Sequence, residues 1–151
     1  MNKDKDAEAN RLALVARAPS DLALGGAMAI EITLRNTSAQ PILVNGRMLV
    51  DEASGLPGRH ELEPSLVGPD GKPLAFMQDV NAPEAAASDL VELAPGAVVT
   101  RKLALDHYFR PAAPGTYRLE VVYRNDRSLE REGRRAFVGQ VRATPIELVI
   151  R

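Results

Sequence analysis

Two histidines bound the chemistry this chain could perform. His60-Glu61 opens like the His-Glu-x-x-His zinc motif, in which two imidazoles four residues apart share one helix face and one metal ion. The place of the second histidine is held by Pro64, which cannot ligate and breaks a helix. The other histidine, His107, stands far away in sequence, and an open catalytic zinc needs three protein ligands. Cysteine is absent, so disulfides, thiol catalysis and thiolate metal sites are excluded together. Serine hydrolysis needs a nucleophile on a sharp turn beside a base; no Gly-x-Ser-x-Gly occurs, and Ser54 lacks that frame. Gly71-Lys72 is followed by Pro73 instead of Ser or Thr, so a phosphate-binding loop is missing. No glycine fingerprint follows a strand, as dinucleotide binding requires. The acids Asp51-Glu52, and Asp79 with Asp89, fall in irregular stretches and lack the alternating spacing of a calcium loop; solvated loop acids are the ordinary reading. These residues predict no enzyme, no metal and no cofactor.

What remains could serve recognition. There are three Tyr, three Phe and no Trp, and Tyr117 and Tyr123 fall in phase with apolar neighbours as core residues. Few rings are left to stack on sugars or bases. With 19 Lys+Arg against 20 Asp+Glu and a net charge of -1, nucleic acid is excluded as a partner. His107, Tyr108, Phe109 and Arg110 occupy a connection before Pro111. Either they form an exposed contact patch, or Tyr108 and Phe109 plug the end of the fold. The stretch 124–135 carries Arg124, Arg127, Arg131, Arg134 and Arg135 against Asp126, Glu130 and Glu132. It reads as a hairpin tip whose charge is either a solvated guard against aggregation or a docking surface for an acidic partner.

The elements that must position these groups are strands, because the dominant hydrophobic period is two. In 29–36, Ile30, Ile32 and Leu34 alternate with Glu31, Thr33 and Arg35; in 116–124, Tyr117, Leu119, Val121 and Tyr123 share a face. The run 146–151 repeats the pattern, 98–105 is a less regular strand, and 12–16 and 41–44 are shorter candidates. Eleven Gly and eleven Pro punctuate these runs. Proline presets φ and glycine accepts positive φ, so Pro69-Asp70-Gly71-Lys72 predicts a hairpin between 66–67 and 74–77. The stretches 45–61 and 77–89 read as long loops. Seven to nine short strands with turns between them predict an all-β, antiparallel sandwich. Tyr117, just after Pro114-Gly115, either folds its hydroxyl back to the backbone upstream as a tyrosine corner or simply packs in the core.

The spacing of the second half carries a resemblance. Leu93-Ala94-Pro95-Gly96, Leu105-Asp106 with Tyr108, and Pro114-Gly115-Thr116-Tyr117 follow one another, and the strand at 29–36 is followed by Asn36-Thr37-Ser38 and Pro41-Ile42. This resembles bacterial immunoglobulin-like domains, in particular the module preceding the catalytic domain of deuterolysin-type metallopeptidases, and is similar to the intracellular proteinase inhibitor family of bacilli. The resemblance spans residues 10–151 and rests on turn residues. No catalytic domain and no Cys…Trp…Cys core accompany it.

The resemblance implies a Greek-key immunoglobulin-like β-sandwich over 11–151, after a polar, disordered tail at 1–10. The expected function is a non-enzymatic binding or accessory domain that engages a protein partner through its end loops. The contact residues would be His107, Tyr108, Phe109, Arg110, Arg127, Arg131, Arg134 and Arg135. One alternative is a proteinase inhibitor presenting 56–62 or 78–89 to a protease; another is an accessory domain of a secreted or envelope peptidase system. No membrane span is expected, because no apolar run reaches about 18 residues, and the chain is expected to be a monomer or weak dimer. A native start at Met1 implies a cytoplasmic protein; a removed export signal implies a periplasmic or secreted one.

Overall fold

The computed structural model describes residues 11–50, 60–77 and 84–151. The tail at 1–10, Ser54, Asp51, Glu52, Asp79 and much of the two long loops lie outside the described residues. Eleven strands are described: β1 (Leu12–Arg17), β2 (Ala29–Asn36), β3 (Ile42–Asn45), β4 (Leu62–Val67), β5 (Leu90–Leu93), β6 (Val98–Ala104), β7 (Gly115–Asn125), β8 (Glu130–Arg131), β9 (Arg134–Arg135), β10 (Gly139–Arg142) and β11 (Ile146–Ile150). Two single 3-10 turns, Ala87–Asp89 and Leu105–His107, are the helical pieces among the described residues. The protein is all-β, and among the described residues these strands pair with one another antiparallel, with an isolated parallel bridge between Val50 and Leu62.

Alternation of residue type decides which face each strand buries. In β2, Ile30, Ile32 and Leu34 are fully buried while Glu31 and Arg35 face water. In β7, Tyr117, Leu119, Val121 and Tyr123 point inward. One sheet runs β1-β2-β6. A second, four-stranded sheet is built on the long β7, with β4 along one flank and β10 then β11 along the opposite flank, and β3-β5 and β8-β9 form two further two-stranded ribbons. Leu14, Ile32 and Leu103 from the first sheet and Leu66, Tyr117 and Leu148 from the second belong to one continuous apolar core. Each such side chain, fully buried, contributes about 1.5–3 kcal/mol relative to exposure.

The chain ties the two sheets together at its ends. After β1 pairs with β2 it crosses to the second sheet, where Arg151 N donates to Leu22 O (3.0 Å) and Leu24 N donates to Arg151 O (2.9 Å). That pattern is a parallel pairing, extending the edge beyond β11. The opposite edge of the first sheet, β6, turns Arg101 toward the core side, where its guanidinium donates to Gly46 O (2.7 Å). An inward charge of this kind blunts a strand edge against further pairing.

Several expectations change in detail. The 69–72 hairpin forms as a tight turn, with Gly68 N bonding Lys72 O and Gly71 at φ 80. Its return arm makes only a bridge at Pro73 and a bond from Leu74 N to Leu66 O, so 74–77 forms no strand and, with 72–73, is an extended strap. Pro73 brings no N–H, which limits the ladder there. β4, β5 and β10 are strands that hydrophobic alternation alone does not mark. The charged tip is an exposed hairpin anchored at its base, where Leu129 and Ala136 join Leu43, Ala85 and Leu90 in a second small core. Its turn holds Glu132 at φ 53 and Gly133 at φ 77, the two positive values of a type I′ hairpin.

Candidate functional site

The connection from β6 to β7 is the part of the surface the fold shapes most closely. Leu105 N donates to Met28 O (2.9 Å) and Asp106 Oδ1 accepts from Met28 N (2.8 Å), which pins the 3-10 turn to the chain entering β2. Tyr108 N and Phe109 N both donate to Leu105 O, closing the turn. At the far end the Tyr117 hydroxyl donates to Ala113 O (2.6 Å), so the corner bond forms and ties the connection to the start of β7. Gly115 is required there: a Cβ would stand 2.6 Å from Pro69, whose turn presses against the strand.

Aromatic packing then fixes the strap. Phe76 stacks on Tyr108 (centroids 5.3 Å apart, planes at 11°) and meets Phe109 edge-on (5.8 Å, 82°). Met77 N donates to Tyr108 O (2.8 Å), and the Met77 side chain is 52% exposed beside the pair. Burial pushes the Tyr108 phenol above its ordinary pKa.

Three pockets meet along this connection. One of ≈ 490 Å³ lies between Pro69, Lys72 and Leu74 on one side and Arg110, Pro114 and Tyr117 on the other. A second of ≈ 310 Å³ lies between Gly25-Gly26 and Asp106, Phe109 and Arg110. A third of ≈ 400 Å³ runs over the edge of β4, between Pro73 and Phe76 of the strap and Glu63, Arg124 and Arg142 of the second sheet. Arg110 lines the first two, and Phe109 the last two.

The residues expected to make contacts separate into two groups. His107 and Arg110 are exposed, Tyr108 is half-buried, and Phe109 is 2% exposed, so Phe109 acts as the plug and its neighbours form the surface. The arginines of the tip are occupied by their own chain. Arg131 donates to Leu90 O (3.0 Å), Arg134 pairs with Glu92 (2.6 Å), Arg127 with Glu84 (3.0 Å) and Arg135 with Glu130 (3.4 Å). Arg131 and Arg134 thus fasten the hairpin to β5.

Buried polar groups form the part that sequence reasoning missed. Glu61 is 1% exposed and takes a two-pronged ion pair from Arg47 (Nε 3.0 Å, Nη2 2.9 Å) together with Leu49 N. Glu63, also buried, lies between His60 Nε2 (3.3 Å) and Arg124 (3.5 Å) on the outer face of β4. Tyr123 donates to Asn45 O (2.8 Å); its phenol is pushed far above the usual tyrosine range by burial first and the Glu61 charge second, against the opposing backbone bond. Glu61 and Glu63 flank Leu62 on the face that alternation assigns to water, so nothing in the sequence marks their burial. His60 packs on Glu63 and His107 stands 3.9 Å from Asp106, and neither histidine lines any of the three pockets. Among the described residues no group of three His, Asp or Glu is placed to hold a metal ion, and no helix is long and apolar enough to cross a membrane. No protein-family model matches the chain, and no curated protein matches it.

Proposed function

We propose that this chain is an immunoglobulin-like Greek-key β-sandwich that works by binding a protein partner at the end formed by the β6–β7 connection and the 68–77 turn and strap. The observation that carries the reading is the meeting of three pockets on residues 106–114, two lined by Arg110 and two by Phe109, next to His107 and Tyr108 in the chain. The β1-β2-β6 and β4-β7-β10/β11 pairing, the crossing of Leu22–Leu24 to the second sheet and the Tyr117 corner support the sandwich topology. Rigid scaffolds commonly carry recognition on such end connections. A solvent-accessible Tyr, Arg and Met set beside a groove has the composition enriched in binding hot spots. The inhibitor alternative relies on 56–62 and 78–89, of which 56–59 and 78–83 lie outside the described residues.

The test is affinity capture from source-cell lysate with three baits: the unaltered chain, His107→Ala/Arg110→Glu, and Arg134→Gln. A partner retained by the first and third and lost by the second supports the reading. Equal capture by all three places binding elsewhere and overturns it.

A further inference from the structure

We propose that the strap 72–76 is the centre of a cationic docking surface for an extended acidic segment of a protein partner, with carboxylates bound at Lys72/Arg110 on one side and at Arg142 on the other. The inference rests on the binding reading above and deepens it by naming the partner's chemistry.

Positive charge is left over on both sides of the strap. The pockets flanking the strap are lined by four cations, Lys72 and Arg110 in one, Arg124 and Arg142 in the other. Each acid beside them already accepts a bond within the fold, and only Glu63 is paired with one of these cations. Asp70 Oδ1 accepts from Lys72 N (3.0 Å) and holds the turn. Glu63 is 7% exposed between His60 and Arg124. Asp106, across the Arg110 ridge, caps Met28 N. Among the described residues the side chains of Lys72, Arg110 and Arg142 have no partner, and all three are exposed. Set against Glu63, Asp70 and Asp106, the four cations leave a local excess of one positive charge on a chain of net charge -1. The tip, with its larger number of arginines, has spent them on Glu84, Glu92, Glu130 and Leu90 O.

Shape selects among anions. The two cation pairs stand on opposite sides of the strap, so a single small anion cannot meet both, whereas an extended chain crossing Pro73 and Leu74 can. The floors between the cations are Pro69, Pro114, Leu74 and the Tyr117 ring, surfaces suited to apolar side chains. Glu63, Asp70 and Asp106 interleave with the cations and break the continuous positive track that a phosphodiester backbone requires. An acidic peptide with apolar residues between its carboxylates fits both features.

The test uses a fluorescein-labelled peptide of repeating Glu-Pro-Leu, the same peptide with Lys for Glu, and a single-stranded oligonucleotide, each titrated against the full chain with anisotropy and amide-shift readouts. The acidic peptide is expected to bind, with shifts at Lys72, Leu74 and Arg110, and to weaken as salt rises. Lys72→Gln/Arg110→Gln is expected to weaken binding about tenfold or more with an unchanged melting temperature, since neither side chain holds the fold. Arg134→Gln should leave binding unchanged. No binding by the acidic peptide, equal binding by the lysine peptide, an unweakened double variant or tighter binding by the oligonucleotide overturns the inference. If the lysine peptide binds equally and shifts still fall on 106–114, the charge assignment fails while the end-surface reading stands. Shifts confined to other regions sink both.

Discussion

Three strands of this fold stop at a buried asparagine: β2 at Asn36, β3 at Asn45 and β7 at Asn125. Each carboxamide replaces the ladder that the strand gives up. Asn36 donates to Gln40 O and Leu93 O and accepts from Ser38 N and Oγ. Asn125 donates to Arg127 O and Phe137 O and accepts from Asn45. Removing such a group strands several buried partners, so Asn125→Ala should cost about 2–3 kcal/mol in urea denaturation, with no rescue by Asp, which cannot donate. Tyr123 gives a pH test. Its folded pKa is raised above the ordinary 10.0, so the proton is held more tightly in the folded state. The resulting stability is fully present below pH 10.0 and is lost as pH rises above it. Denaturation midpoints should therefore fall in alkali. Tyr123→Phe should flatten that fall while costing about 1–3 kcal/mol at neutral pH, because Asn45 O loses its donor. A midpoint that declines equally in both proteins would refute the assignment.

Strands were legible where one face is wet and the other buried. β2, β7 and β11 alternate over most of their length, and the expected residues face the core. β4 hid itself because Pro64 interrupts it and Glu63 is buried on what should be a wet face, beneath neighbours that no local pattern announces. β10 offers a single inward residue, Val141, in four. For the candidate site, the segment 107–110 could be located from its residue types, but the strap that builds two of its pockets owes its position to Phe76 packing on Tyr108 and Phe109, contacts made across distant sequence. The tip's charge was visible and its partners were not, since Glu84 and Glu92 arrive from another element. The tip also carries a testable strain. Glu132 holds φ 53 in the I′ turn, where Asn is preferred ahead of Gly133. Glu132→Asn should raise stability by about 0.5 kcal/mol and Gly133→Ala should lower it by about 1 kcal/mol, both read by thermal melting.

At the scale of the whole molecule, two sheets share one core and differ in how their edges are closed. The second sheet covers β4 with the strap and extends past β11 with Leu22–Leu24, while β6 relies on the inward Arg101. Arg101→Val should keep the fold and raise concentration-dependent self-association in light scattering; an unchanged profile would show that β6 is closed by something else. The stitching of Leu22 and Leu24 to Arg151 has a mechanical meaning as well. Because those segments run side by side in the same direction, tension drawn through the polypeptide on either side of the fold would load their bonds lengthwise and together, not peel them one after another. Leu24→Pro, which deletes one of the two N–H donors, should therefore lower the force at which the fold yields in a single-molecule stretching trace.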